Sequence, residues 1–296
     1  MMDLAEAKVK PKVKTKKERS IKKGRVIERV ITYSLLIGLS IVFIFPFLWL
    51  LGTSVKPESE ALSFPPTIIP DTWKFSNYVD VFKMVNFGQY YWNSIMVTLL
   101  TVLGTVLSST LVAYGFARIK AKGRDAWFIL LLATMMLPPQ VTMIPVYIIF
   151  SKLGWVNTFL PLIVPAFFGN AYFIFMLRQF FKTIPKELEE SAFLDGCGTF
   201  GIFWRIILPL SVPAVITVAL LSFMWTWNDF LGPLVYLNDD SMFTLALGIL
   251  QFKGALIVSW GPMMAASVLI ILPLVILFFV GQKYFIQGIA TTGGKG

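Results

Sequence analysis

The residues best suited to chemistry in this chain form one acidic cluster inside an otherwise apolar sequence. The stretch EESAFLDG (189–196) lies between two long apolar runs and ends in a glycine. Within nine residues the chain places four carboxylates, Glu187, Glu189, Glu190 and Asp195. Grouped carboxylates are candidates either for acid–base chemistry or for pairing with basic groups of a partner protein.

The residue types that the chain lacks exclude most catalytic chemistry. There is no histidine and only one cysteine. This excludes Ser-His-Asp and Cys-His catalysis, histidine metal ligation, an intramolecular disulfide and a paired-cysteine zinc site. The final GIATTGGKG is rich in glycine, but no strand precedes it and no helix follows Lys295, so it does not predict a phosphate-binding loop. We therefore expect a protein that is not an enzyme and binds no metal or cofactor itself.

The composition indicates that the elements around this cluster lie in a bilayer. Of the 296 residues, 56% are hydrophobic and 14% are charged, and the mean hydropathy is +0.74. A soluble domain typically has about a quarter charged residues. The deficit indicates a bilayer as solvent, and together with the long apolar runs described below it predicts an all-α integral membrane protein.

The net charge of +10 is concentrated at the N-terminus. Residues 1–29 hold eleven Lys and Arg against four acids, which is typical of a solvated tail. This tail lacks a folded basic face, so we expect no nucleic-acid partner. No small-residue cleavage site follows the next apolar run, so an uncleaved first helix is favoured over a signal peptide.

Six segments are apolar over the roughly 20 residues that a membrane span needs. Proline, glycine and charged residues separate them. The predicted spans are residues 30–52, 91–117, 126–150, 159–181, 210–235 and 262–284.

The distribution of Lys and Arg predicts the orientation of these spans. The N-terminal tail, two alternate loops and the C-terminus carry 21 of the 26, and the remaining loops carry 5. Because positive residues concentrate on the cytoplasmic side, both termini and the acidic loop are predicted to be cytoplasmic.

The acidic loop has the signals of a helix, a turn and a second helix. Pro185 suits the first helical position, the carboxylates of residues 187–190 favour a helix N-terminus, and Gly196 suits a helix end. The run TFGIFWRIILP then leads into the fifth span. The alternative is a solvated loop whose acids merely cap a helix.

A motif in this loop resembles the cytoplasmic signature of ABC-importer permeases, E-A-A-x3-G-x9-I-x-L-P. One position departs from it, a serine in place of the first alanine. The matching stretch, including that serine, is Glu190, Ser191, Ala192, Gly196, Ile206, Leu208 and Pro209. Residues 30–296, with segments such as NSIMVTLLTVLGTVLSSTLVAYGFARIK and WNDFLGPLVYL, resemble the sugar-importer branch, in particular the second subunit of maltose permeases.

This resemblance implies a type I ABC-importer permease fold of six transmembrane helices. The implied organisation is a basic tail (1–29) and a permease domain (30–296) with an ATPase-docking loop at about 182–209. The implied partners are a sister permease in a heterodimer, two ATPase subunits that hold ATP and Mg²⁺, an extracytoplasmic sugar-binding protein and membrane lipid. The implied location is the plasma membrane of a prokaryote.

The resemblance also assigns roles within the docking loop. Glu190 would pair with a basic group of the ATPase, Gly196 would aim the helix, and Ile206 with Pro209 would tie the loop to the fifth span. The complete docking set is Glu187, Glu190, Ser191, Ala192, Asp195, Gly196, Ile206, Leu208 and Pro209.

The fifth span carries Asp229, the only carboxylate in a predicted span. Ionisable groups inside a membrane are functional candidates. One interpretation is an interfacial aspartate beside an aromatic belt of Trp225 and Trp227, with Gly232 and Pro233 ending or bending the helix. The other is a sugar cavity in which Trp225 stacks on the sugar and Asn228 or Asp229 bonds its hydroxyl groups.

Two further candidates complete the predicted substrate path. Pro138, Pro139 and Gln140 interrupt the third span, which predicts either a supported kink or a discontinuous helix beside a translocation path. Asn93 begins the second span, where a packing role is the more common one.

The leading hypothesis is therefore a sugar-importer permease subunit, and the alternative is a secondary transporter or channel for a small polar solute. Proton coupling normally uses several buried carboxylates or histidines, whereas these spans supply one aspartate. No second copy of a six-span unit is visible. A membrane enzyme is third, because the acidic loop is the only acidic cluster.

Overall fold

The structure is a computed structural model that describes residues 16–253 and 258–293, with side chains described for 27–253 and 258–282. Within these residues all regular secondary structure is helical, apart from one isolated bridge between Lys253 and Val258. The first fifteen residues of the predicted basic tail and Lys295 lie outside the described residues. The all-helical prediction is confirmed.

The helices follow the predicted spans with short helices between them. The first eight are α1 (Lys16–Ser54), α2 (Glu58–Ala61), α3 (Asn77–Met84), α4 (Phe87–Arg118), α5 (Arg124–Thr134), α6 (Pro139–Lys152), α7 (Leu160–Ile163) and α8 (Ala171–Thr183). The others are α9 (Glu187–Leu194), α10 (Thr199–Ile202), α11 (Leu208–Leu210), α12 (Val212–Trp227), α13 (Leu231–Tyr236), α14 (Leu245–Gly248) and α15 (Trp260–Gly293).

Four helical stretches in the described residues are long and apolar enough to cross a membrane, and the count reaches six if each of two bent pairs forms one span. The four are Ile27–Ser54, Phe87–Arg118, Leu160–Thr183 and Trp260–Gln282. The bent pairs are α5 with α6, and Thr199–Leu210 with α12. The upper count agrees with the six predicted spans.

The third predicted span is broken into two helices, as in the second of the two predicted alternatives, and the translocation path beside it stays a prediction. Its halves α5 and α6 meet at 99°. Pro138 is extended, and Pro139 occupies the start of α6. Proline at the first helical position is preorganised for a helix, and the residue before a proline is disfavoured in the helical region. Pro139 therefore starts α6 and keeps Pro138 out of a helix, which breaks the span.

The fifth span ends earlier than residue 235, and the predicted end or bend at Gly232 and Pro233 is wrong. Helix α12 ends at Trp227, and these two residues lie inside α13. The cause is local hydrogen bonding. Asn228, the C-cap of α12, donates from Nδ2 to the Met224 carbonyl (2.7 Å), and the Gly232 N–H donates to Asp229 Oδ1 (3.1 Å). Local side-chain bonds thus occupy the break between the two helices.

Helix α4 is the central element, and two apolar clusters lie at its opposite ends. It packs against α8 and α12, while α1 packs along α15. The cluster near the acidic loop includes Ala113, Tyr114, Phe173, Leu177, Phe181, Ala192, Ile202, Ile207 and Val218. The cluster at the opposite end includes Val81, Phe87, Tyr90, Trp227, Leu245, Phe252 and Ala265. We call these ends of the bundle the loop end and the distal end.

Candidate functional site: the acidic loop and the distal cavity

The acidic loop forms the predicted pair of helices with a turn. Helix α9 covers Glu187–Leu194, and its first bonds run from the N–H groups of Glu189 and Glu190 to the Lys186 carbonyl at 2.9 and 3.0 Å. Lys186 is therefore the N-cap. Pro185 precedes the cap, so its predicted place at the first helical position is wrong by two residues. Its restricted φ still suits the turn between α8 and α9.

Gly196 ends α9 in a left-handed conformation with φ of +81°, as the sequence predicts. Its N–H donates to the Phe193 carbonyl at 3.0 Å, and the Cys197 N–H donates to the Ala192 carbonyl at 2.9 Å. This pair of bonds is a Schellman motif, which satisfies carbonyls that a helix end otherwise leaves unpaired. The direction in which the chain leaves α9 is thus fixed by backbone bonds.

Helix α9 has one buried face and one exposed face. Ala192 is buried in the loop-end cluster. The exposed face repeats at three- and four-residue intervals, as a helix requires. We define this docking stripe as Glu187, Glu190, Ser191 and Leu194, of which Leu194 is 90% exposed. Carboxylates beside an exposed leucine form a surface suited to a partner that is both basic and apolar.

The other predicted loop residues support the shape of α9 or anchor its exit. The hydroxyl of Ser191 donates to the Glu187 carbonyl (2.8 Å), and Asp195 is the exposed C-cap. Ile206 and Leu208 pack against the loop-end cluster. Pro209 lies in α11, directly after a π-helical segment at Phe203–Ile207. Proline has no N–H to bond a preceding carbonyl, which accounts for an irregular turn at this place.

The loop also contains an ion pair that the sequence did not predict. Arg118, the last residue of α4, places Nε 2.9 Å from Glu189 Oε1, and both side chains are nearly buried. Burial raises the pKa of the Glu189 carboxyl above its ordinary value, and the charge of Arg118 opposes that rise. The available signal was that both residues flank the same predicted membrane face.

At the distal end, Trp225 and Asp229 line a cavity of about 310 Å³. That this cavity binds a sugar stays a prediction. Trp225 packs against Phe173 and Tyr172, with ring centroids 4.9 and 5.4 Å away. Trp227, by contrast, is 3% exposed and donates from Nε1 to the Ile270 carbonyl, so its predicted place in an interfacial belt is wrong. The cavity walls are Ser94, Val97, Thr98, Thr101, Leu162, Trp225, Thr226, Asp229, Pro233 and Thr244.

Three predicted path residues do not line this cavity. Asn93 is 2% exposed and donates to the carbonyls of Ser241 (2.9 Å) and Phe243 (3.0 Å), so it holds a loop in place. Asn228 caps α12. Gln140 is exposed in the first turn of α6. Asp229 also borders a second cavity of about 280 Å³ against α6, so it lies between α6 and the first cavity.

A metal-binding group is not found in the part of the chain that the structure describes. None of its His, Cys, Asp or Glu side chains form a group of three or more that could hold an ion. The side-chain chemistry of the distal cavity is instead that of hydroxyl groups, one carboxylate and one indole.

Comparison with known proteins gives a family match over more than half of the chain. The family described as "Binding-protein-dependent transport system inner membrane component" matches residues 106–291. This region includes the acidic loop, α12 and most of α15.

Curated relatives cover almost the whole chain. The probable ABC transporter permease protein YurM of Bacillus subtilis is 37% identical over 86% of this chain and 85% of its own length. The arabinooligosaccharides transport system permease protein AraQ of Halalkalibacterium halodurans is 34% identical, over 90% and 98%. The trehalose/maltose transport system permease protein MalG of Thermococcus litoralis is 35% identical, over 92% and 98%.

A solved structure has the same fold. A chain from the crystal structure of a bacterial ABC transporter that imports the acidic polysaccharide alginate matches with a TM-score of 0.77. The match covers 93% of this chain and 100% of the other, at 23% identity.

Proposed function

The chain belongs to the family of binding-protein-dependent transport system inner membrane components, and from this premise we propose that it is the permease subunit of an ATP-driven sugar importer. It is a multi-pass protein of the plasma membrane and a permease subunit, not an enzyme. Its substrate is a sugar or oligosaccharide delivered by an external binding protein. The names of the relatives AraQ and MalG, which refer to arabinooligosaccharides and to trehalose and maltose, support this class.

The chemistry of the distal cavity supports a sugar path through this subunit. Sugars bind through hydroxyl hydrogen bonds and through packing of their apolar faces on aromatic rings. Asp229 and the threonine hydroxyls supply the first contact, and Trp225 supplies the second. The Thr244 hydroxyl is buried and has no hydrogen-bond partner among the described residues, so it is free to bond a ligand. The volume of about 310 Å³ lies at the lower end for small-molecule sites.

The proposed assembly contains a sister permease, two ATPase subunits and an extracytoplasmic sugar-binding protein. ATP and Mg²⁺ bind the ATPase subunits, and this chain binds no cofactor. The span at Ile27–Ser54 supports a role for lipid and the sister subunit, because its most apolar window has no buried residue. Such a surface requires an apolar environment.

The observation that carries the proposal is the exposed docking stripe of α9. In this proposal α9 enters a cleft of the ATPase, where Glu190 pairs with a basic group and Leu194 packs against apolar side chains. The Schellman bonds at Gly196 keep α9 in a fixed direction. Closure of the ATPase dimer then reaches the spans as a rigid-body movement.

Reconstitution distinguishes this proposal from the alternative of a secondary transporter or channel. The chain is placed in proteoliposomes with its sister permease, ATPase subunits and binding protein, and uptake of labelled oligosaccharides is measured. Uptake should require both ATP and the binding protein. Uptake that follows a solute or proton gradient without ATP would favour the alternative.

The Glu190→Lys variant tests the docking step at residue level. A charge-assisted contact contributes about 1.5–3 kcal/mol, so its loss should weaken ATPase association roughly tenfold or more. Co-purification of the ATPase subunits measures this effect. Lys152→Glu, a charge reversal at an exposed residue of α6, is the matched control and should retain them. Wild-type association of Glu190→Lys would show that α9 is only a connector.

A further inference from the structure

The guanidinium of Arg118 joins three elements at the loop end. Its Nε lies 2.9 Å from Glu189 Oε1 in the first turn of α9. Its Nη2 donates to the carbonyls of Phe181 and Ile184, where α8 ends. Arg118 itself is the last residue of α4. This side chain is 4% exposed and connects three elements. It belongs to the second span, donates hydrogen bonds to the end of the fourth span, and forms an ion pair with the acidic helix.

The chemistry of these contacts favours a rigid connection between α4, α8 and α9. The last carbonyls of a helix have no intrahelical partner, and a cation near a helix C-terminus is favoured by the helix dipole. The planar guanidinium offers several donors in a fixed geometry, which lysine does not. Its partner Glu189 is also largely buried, so neither charge is well solvated alone. Removing one partner of a buried pair leaves the other uncompensated.

A second bond from α4 holds the exit of the acidic helix. The Tyr114 hydroxyl donates to the Thr199 carbonyl at 3.2 Å, and its ring packs on Phe203 with centroids 5.1 Å apart. Tyr114 and Arg118 are one helical turn apart and face the same side of α4. Together they attach α4 to the chain on both sides of α9.

A second arginine, in the fourth span, connects α8 back to α4. Arg178 of α8 donates from Nε to the Phe116 carbonyl of α4 at 3.2 Å, and its guanidinium lies 3.8 Å from the centre of the Phe128 ring. Its Nη2 lies 3.7 Å from Asp125 Oδ1 at the start of α5. The loop ends of α4, α5 and α8 are thus fastened by two arginines.

We propose that Arg118 is a positioning residue that makes α9 and α4 move as one body, so that the Arg118–Glu189 pair transmits ATPase closure to the substrate cavity. This rests on the proposed docking of α9 to an ATPase. Helix α4 carries cavity residues Ser94, Thr98 and Thr101 at its other end. Thr101 is seventeen residues before Arg118, about 26 Å along an uninterrupted helix at 1.5 Å per residue. A rigid rod of that length carries a displacement of α9 directly to the cavity wall.

The test uses the complete reconstituted transporter and the Glu189→Gln variant. Glutamine keeps the shape and one acceptor but loses the charge that pairs with Arg118. Glu189 lies outside the docking stripe, so the ATPase subunits should co-purify as in the wild type. The ratio of sugar transported to ATP hydrolysed should fall about fivefold or more, the usual lower range of an allosteric coupling.

A second test variant and a control variant complete the test of the Arg118–Glu189 pair. Arg118→Lys keeps the cation but loses the planar donor set, and it should lower the same ratio; it decides the question if Glu189→Gln fails to fold. Lys120→Gln removes an exposed cation two residues beyond Arg118 and should leave the ratio unchanged.

A wild-type ratio in Glu189→Gln and Arg118→Lys would overturn the positioning role. So would loss of ATPase binding in a folded Glu189→Gln, because Glu189 would then belong to the docking contact itself. Failure of the proposed function is a separate result. Wild-type ATPase binding by Glu190→Lys would refute the docking of α9, and uptake without ATP would refute the importer function.

Discussion

At the residue scale, Gly196 has a conformational requirement that a neighbouring glycine does not share. Its φ of +81° should cost a side chain about 1–2 kcal/mol, although no heavy atom lies within 4 Å of an added Cβ. Gly196→Val should therefore redirect α9 and lower sugar-stimulated ATP hydrolysis. Measurement of that stimulation in proteoliposomes checks the effect.

The matched control is Gly198→Val. Gly198 has φ of −73° and the same open surroundings, so valine fits there without backbone strain. Gly196→Asn should lie between the wild type and Gly196→Val, since asparagine tolerates the left-handed region better than branched residues. Equal effects of valine at positions 196 and 198 would refute the conformational explanation.

Trp225 and Asp229 also allow predictions for single residues, because each contributes one side chain to the distal cavity. Trp225→Ala removes the ring that would pack on a sugar, and Asp229→Asn removes a charged acceptor. Each should lower sugar uptake roughly tenfold, the effect of about 1.5 kcal/mol from one lost contact. Uptake kinetics in proteoliposomes measure this, and ATPase association should persist.

Trp127→Ala is the control for the aromatic change. Trp127 is 65% exposed in the first turn of α5 and does not line the cavity. Unchanged uptake kinetics in both cavity variants would leave Asp229 as a helix cap and Trp225 as a packing residue.

At the element scale, α9 depends on the burial of Ala192 for its place on the bundle. Ala192 is 7% exposed inside the loop-end cluster. A larger side chain would overfill this site at a cost of about 1–3 kcal/mol. Ala192→Leu should therefore lower both the thermal unfolding temperature and ATPase co-purification.

Ser191→Ala supplies the comparison on the exposed side of the same helix. It removes one exposed hydroxyl bond and should change stability by no more than about 0.5 kcal/mol. Equal thermal shifts for the two variants would show that α9 is not anchored through its buried face.

The same elements show which local features the sequence predicts. Proline at 138 and 139 predicted an interruption of the third span, and the glycine at 196 predicted the end of α9. Both features are determined by residues close to them in the sequence. The 99° angle between α5 and α6 does not, because it depends on the surfaces against which each half packs. The early end of α12 was missed because the prediction followed the apolar run and took no account of the local side-chain bonds of Asn228 and Asp229.

At the candidate sites, contacts between residues far apart in the sequence limit what the sequence can predict. The Arg118–Glu189 pair joins residues far apart in sequence, and nothing in local spacing selects that arginine from the others on the same face. Asn93 was a path candidate by its position in a span, but the loop carbonyls of Ser241 and Phe243 use its amide. Of the docking stripe, the resemblance named Glu187, Glu190 and Ser191. It omitted Leu194, which is 90% exposed, and included Ala192, which is buried.

At the scale of the whole molecule, orientation remains a prediction from the Lys and Arg count. The loop end carries most of these residues, which favours the cytoplasmic side. Cys197 is the only cysteine and follows Gly196 directly, so it reports the side on which the loop end lies. Its side chain is half-buried, so labelling should be slow but measurable.

A membrane-impermeant maleimide should therefore label Cys197 in inside-out vesicles and not in sealed right-side-out vesicles. Bound ATPase subunits should slow the reaction, because α9 would then be covered. Cys197→Ser removes the signal and controls for labelling of other proteins. A second variant with Cys197→Ser and a new cysteine at exposed Lys152 places the probe at the distal end, and its labelling should show the opposite sidedness. Labelling of Cys197 from outside would reverse the assigned topology and place the docking stripe where no ATPase could reach it.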